Sequence, residues 1–194
     1  MNVVRADRSP GPAACAHWSR TPATSPPSGL PNAGVDHYAA PVRVRPGESA
    51  SAAFIHVRDR LLAYDVFPPA LIRYAICPAG SIRAGATIVQ QILLGPIALE
   101  MAVRVVDAWD RSEGGAREAG FSYVTLQGHP ERGVATFRVR LDAAGAVTVL
   151  IDARSRPGLL LTRLGRPIAR GFQRALTRAA LRRLAEGEGP GISP

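Results

Sequence analysis

Lysine is missing altogether: every one of the 24 basic residues in this 194-residue chain is arginine. A skewed genomic base composition accounts for that, but arginine is still the better fork for phosphate and carboxylate, so the charge is not inert. Cysteine is scarce. Cys15 and Cys77 make no disulfide framework and no CxxC pair, so reduced thiols are the expectation. His17, His37, His56 and His129 show no metal-ligand spacing among themselves or with the cysteines, which leaves no metal site to expect. No serine sits in a nucleophile elbow, no glycine-rich loop precedes a helix, and Cys77 has no activator beside it in sequence. No cofactor is therefore expected. The N-terminus lacks an apolar core of signal-peptide length. The longest apolar run, residues 92–99, is interrupted by Gly95 and Pro96 and is too short to cross a bilayer. These absences together predict a soluble protein of a reducing cytoplasm.

What is present suffices for one globular domain, with 46% hydrophobic residues. The net charge of +9 is unevenly placed. Residues 153–185 hold nine arginines and no acid, while the other fifteen arginines are matched by fifteen acids. The whole excess lies on the C-terminal segment.

Residues 1–48 read as a flexible leader, because their Pro/Ser/Ala/Gly mixture has no helical or strand period and offers little apolar surface against the entropy of ordering. A misassigned start codon explains such a leader as well as a functional tail does. Only residues 37–44 suggest a short first strand. The domain is expected over 49–186, with a disordered tail over 187–194. Ser49 or Ser51 caps a predicted helix over 52–64, whose apolar face carries Phe54, Val57, Leu61 and Leu62. His56 lies mostly outside that face, a surface or boundary position. Residues 71–77 form a short strand or a helical turn. Alternating residues then predict strands over 86–94, 99–109, 120–126, 135–141 and 147–151, with a loop over 110–117. Five strands in succession without helices between them argue for an antiparallel meander.

The last helix is predicted from Pro167 to Ala185. Leu164, Ile168, Phe172, Leu176, Ala180 and Leu184 recur every four residues. Arg166, Arg170, Arg174, Arg178 and Arg182 do the same two positions away, about 200° round the helix. An arginine ladder therefore lies opposite an apolar stripe. It is a solvated face, an anion-binding face for phosphate or nucleic acid, or a surface for anionic membrane. No aromatic residues interleave with it, which argues against stacking on single strands.

An α+β layout of one helix, a curved antiparallel sheet of about five to seven strands and a long C-terminal helix resembles the helix-grip (START-like) superfamily. The stretch GFSYVTLQGHPERG, then Phe137, Ser155-Arg156-Pro157 and a basic helix with Pro167 and Gln173, narrows this. It resembles a domain-of-unknown-function family with bacterial and plant members. The resemblance implies a hydrophobic cavity between sheet and helix, and no settled activity. The family's acidic pair after Gly133 is replaced here by Val134-Ala135.

One polar constellation stands out: Tyr123, Thr125, His129, Glu131 and Arg156. A histidine near a carboxylate can move protons near neutral pH, and Arg156 could orient an anion. Alternatively His129 and Glu131 satisfy backbone groups of a loop shaped by Gly128 and Pro130. The expected function is binding of a small apolar or amphipathic molecule, with Tyr123, Thr125, His129, Arg156 and Phe172 at the ligand. An enzyme using His129 and Glu131 as acid and base is one alternative. An adaptor using Arg166, Arg170, Arg174 and Arg178 on an anionic partner is another.

Overall fold

The computed structural model describes residues 1–24, 34–157 and 166–186, with side chains except at 34–35, 156–157, 166–170 and 172–173. In chain order the elements are β1 (Asn2–Arg5), α1 (Pro12–Ser19), β2 (Gly34–Pro41), α2 (Ala50–Leu62), β3 (Ile72–Cys77), β4 (Thr87–Leu94), β5 (Ile97–Glu113), β6 (Ala116–Thr125), β7 (Glu131–Leu141), β8 (Val147–Pro157) and α3 (Arg166–Ala185).

Local chemistry sets most of the boundaries. The Ser49 hydroxyl accepts from the Ala52 N–H at 3.1 Å, which satisfies a free donor at the start of α2. Phe54, Val57 and Leu61 lie at one helical spacing on its buried face. The loop expected over 110–117 shrinks to Gly114-Gly115, both at positive φ (57° and 81°). Such a pair matches the twist of the flanking strands, so the β5–β6 ladder runs right up to the turn.

Seven strands form one antiparallel sheet in the order β2-β8-β7-β6-β5-β4-β3, and β1 adds an eighth by pairing with the start of β5. β4 to β8 are the predicted meander. The register of β5 against β6 shifts between Val105 and Asp107. This bulge lets both Val105 and Ala108 face the main core.

Side chains alternate between two faces. The inner face, with Ile88, Val103, Val105, Phe121, Phe137, Val139, Val149 and Ile151, packs against Phe54, Val57 and Leu61 of α2 and Ala180, Leu181 and Leu184 of α3. This is the α+β helix-grip arrangement expected from the sequence. The outer face carries a smaller cluster, in which Trp18 covers Val89, Ala102 and Leu126.

The N-terminal expectation needs correction. Residues 1–24 and 34–48 are not a structureless leader, for they carry β1, α1 and β2. β2 closes one edge of the sheet by pairing with β8 from Gly34↔Ser155 to Pro41↔Thr148. Partners distant in sequence order this segment, and composition does not register them. The reduced-thiol expectation is also corrected: Cys15 of α1 is disulfide-bonded to Cys77 at the end of β3, 62 residues along the chain. Residues 25–33 and the expected tail over 187–194 lie outside the described residues.

Candidate functional site

The GFSYVTLQGHPERG stretch forms the second half of β6, a five-residue connection and the start of β7. Phe121 and Tyr123 face inwards beside Phe137. Thr125 ends β6. Its hydroxyl accepts from the Gly133 N–H at 3.1 Å, its carbonyl accepts from the Thr24 N–H at 2.8 Å, and the two threonine hydroxyls are themselves hydrogen-bonded. Thr125 thus ties the connection shut and anchors the incoming segment. A side chain at Gly133 would meet the Arg154 carbonyl oxygen at 2.1 Å, so the close approach of β7 to β8 requires glycine there.

His129 turns back onto its own loop. Its backbone N–H donates to the Leu126 carbonyl at 3.0 Å, and its Nδ1 lies 3.0 Å from both the backbone nitrogen and the carbonyl oxygen of Glu131. Burial lowers the imidazole pKa to about 4; the backbone contact to Glu131 opposes this, and the nearby chain amino group adds to it. The ring is therefore neutral across the physiological range. The Tyr123 phenol is raised, first by burial and then by the Glu131 charge, which puts that carboxylate within electrostatic reach of Tyr123.

Tyr123 and Thr125 lie at the end of β6, His129 in the connection that follows and Glu131 at the start of β7. The backbone of Arg156 pairs with Arg132. The side chains of Arg156, Phe172, Arg166 and Arg170 lie outside those described, while Arg174 and Arg178 are exposed on α3. Ala135, the second of the two positions where the family pattern has acids, lies directly opposite Tyr123 in the ladder and in the inner core. This chain thus has a methyl group where that pattern would put a carboxylate beside the phenol.

The largest feature missed in the sequence is aromatic. Six of the chain's eleven Phe, Tyr and Trp residues meet on the inner face. Phe121 and Phe137 stack 5.3 Å apart at 9°, Tyr123 lies 5.7 Å from Phe137, and Phe67 meets Phe137 edge-on at 6.2 Å. Tyr64 contacts Phe121 at 5.8 Å and Tyr74 at 5.1 Å. Tyr64 and Phe67 come from the turn after α2, where nothing local signals an inward path. Tyr64 adopts φ 59°, the left-handed helix-ending conformation that glycine usually takes. The ring is held there by complete burial and by a hydrogen bond from Gln90 to its hydroxyl. Tyr64, Phe121 and Phe137 are buried, while Phe67, Tyr74 and Tyr123 remain half-buried. Three of the six rings are thus covered and three are partly accessible.

The two helices of the inner face are fastened at one end. Arg60 of α2 donates to Asp65 at 3.0 Å and to the Arg183 carbonyl at 2.9 Å, and Arg183 of α3 donates to Asp65 at 2.8 Å. This buried bridge fixes the C-terminal ends of α2 and α3 together. A cleft of about 470 Å³ between β2 and α3 is lined by Arg43, Arg178 and Arg182 over Ala40 and Leu181.

A curved antiparallel sheet wrapped round a long C-terminal helix defines a helix-grip protein. Within that class, the chain belongs to the domain of unknown function family DUF1990, whose pattern matches residues 19–183. No curated protein matches it in sequence. Among solved structures, the hypothetical protein jhp0584 from Helicobacter pylori shares the fold at 9% identity, covering 95% of each chain with a TM-score of 0.52. A protein from Nitrosospira multiformis is similar at 10% identity over 78% of this chain and 94% of its own, with a TM-score of 0.48. Norcoclaurine synthase from Thalictrum flavum, in complex with dopamine and hydroxybenzaldehyde, is similar at 13% identity over 81% of this chain and 89% of its own, with a TM-score of 0.44.

Proposed function

We propose that the protein binds a small apolar or amphipathic molecule between the inner face and α3. The observation that carries this is the aromatic cluster, half of whose rings are partly accessible. Rings supply large apolar area at fixed geometry, and Phe67, Tyr74 and Tyr123 leave part of that area uncovered. Tyr123 stays protonated because its pKa is raised, so it meets a ligand as a neutral hydroxyl. Thr125, His129, Arg156 and Phe172 complete the proposed ligand set. The test is calorimetric titration with an apolar probe such as a long-chain fatty acid, on the native chain and on Tyr123→Ala. The reading expects binding by the native chain and clear weakening in the variant. Equal binding by the two would overturn it.

An acid/base role for His129 and Glu131 is the weaker alternative, because an imidazole with its Nδ1 committed to the backbone and a pKa of about 4 is a poor proton shuttle at neutral pH. An anionic partner on α3 is favoured by one observation: Arg43 of the β2–α2 connection joins Arg178 and Arg182 around a single cleft. Arg166, Arg170 and Arg174 would extend that surface towards nucleic acid or an anionic membrane. Binding to a polyanion that stays constant from low to high salt would exclude this second reading. No helix among the described residues is long and apolar enough to cross a membrane. A cytoplasmic location is part of the proposal, and there the Cys15–Cys77 bond would meet a reducing thiol pool.

A further inference from the structure

We infer that residues 1–19 are a strap latched onto the outer face by a thiol-sensitive bond, Cys15–Cys77, whose reduction opens the edge of β5. Besides that bond, the strap is held by the short β1–β5 ladder, one buried side chain and a few hydrogen bonds. Three of the four residues of β1 are exposed, and Trp18 is the one buried side chain of α1. α1 has eight residues and no side-chain cap at Gly11, too short to persist in water by itself. Segments with so few buried contacts lie at the low-stability end of a protein. The family match begins at residue 19, so residues 1–18 lie outside it.

What the strap covers is specific. β1 pairs with β5 from Asn2↔Glu100 to Arg5↔Ile97, a stretch of β5 edge that β6 does not reach. Trp18 lies on Val89, Ala102 and Leu126, and its Nε1 donates to the buried carboxylate of Glu100 at 3.0 Å. Arg104 closes the end of α1 by donating to the Ser19 carbonyl at 2.8 Å. Beside this region Leu94 and Ile97, cross-strand partners, are already exposed. With the strap displaced, the unpaired backbone of residues 97–100 and the apolar outer cluster would form one continuous surface.

Cys15 is half-buried and Cys77 is buried, so the Cys15 sulfur is the one an incoming thiolate can reach. A dithiol attacks it, the Cys15–Cys77 bond breaks, and Cys77 leaves as a thiolate and takes up a proton. The second thiol of the reductant then displaces Cys15, giving two protein thiols and an oxidised reductant.

Hydrogen exchange read by mass spectrometry tests this on the full chain, oxidised and then reduced with dithiothreitol. The expected result is loss of protection confined to residues 1–19 and 97–100, retained protection over 117–141, and recovery with oxidised glutathione. Unchanged protection of the strap on reduction would show that noncovalent contacts suffice to hold it, overturning the latch. Loss extending evenly through 117–141 would overturn it too, making the bond a staple of the whole domain. Cys15→Ser supplies the reduced state without reagent and must give the same pattern.

Discussion

Replacing His129 by asparagine separates a structural histidine from a catalytic one, and the sign of its pH dependence is fixed by the structure. The folded imidazole is held at about 4, against 6.5 for the free side chain. Burial disfavours the charged ring and outweighs the backbone contact to Glu131, which works the other way. The unfolded chain therefore binds a proton between these values that the folded chain does not. Stability from this group is complete above pH 6.5 and drains away as pH falls to 4. The difference of about 2.5 units corresponds to about 3 kcal/mol at most, because a half-buried ring is partly screened by solvent. The side-chain amide introduced by His129→Asn offers an acceptor for the Glu131 N–H and has nothing to titrate. Guanidinium unfolding of both proteins should be followed from pH 8 to pH 4. The native chain should lose stability relative to His129→Asn across that range, by up to about 3 kcal/mol and nearly all of it below pH 6.5. A pH-independent difference, or an imidazole that titrates near 6.5 by NMR, would refute the reasoning and revive the proton-shuttle reading.

Three further outcomes are expected. Cutting the Cys15–Cys77 link with the double Ser variant should release the strap and leave most of the domain's stability in place, so stability read from the denaturation midpoint should fall by much less than the about 4 kcal/mol that loop closure over a 62-residue separation would give. Phe137→Ala removes a buried ring that contacts Phe67, Phe121 and Tyr123, and should cost about 3–5 kcal/mol in the same assay. Ser49→Ala deletes the α2 cap and should cost about 1 kcal/mol, with a correspondingly lower thermal midpoint.

The parts of the fold that were readable in the sequence are those whose causes are local. Alternation located β4 to β8, because each strand packs one face on a core and the period of two survives in the sequence. The four-residue recurrence of Leu176, Ala180 and Leu184 located α3, and Ala180 and Leu184 are fully buried while Arg174, Arg178 and Arg182 are exposed. Three things were not readable because their causes are distant. The strap is ordered by β5 and the outer cluster, partners about a hundred residues away for Trp18 and Leu126. Cys15 finds Cys77 because α1 packs beside β3, and spacing carries no trace of that. The aromatic cluster gathers Tyr64 and Phe67 from a turn with Tyr74, Phe121, Tyr123 and Phe137 from three strands, so no window of sequence contains it. The candidate site was half readable. Tyr123, Thr125, His129 and Glu131 do converge, yet Thr125 and His129 spend their polar atoms on Thr24, Gly133 and Glu131 backbone groups.

Native mass spectrometry of the full chain, followed by extraction of whatever is bound and by titration with apolar probes, tests the binding proposal most directly. One equivalent of a small apolar or amphipathic molecule, retained by the native chain and lost from Tyr123→Ala, is the expected result. A native chain that flies at its own mass, and that binds the probes no better than the Tyr123→Ala chain does, would contradict it.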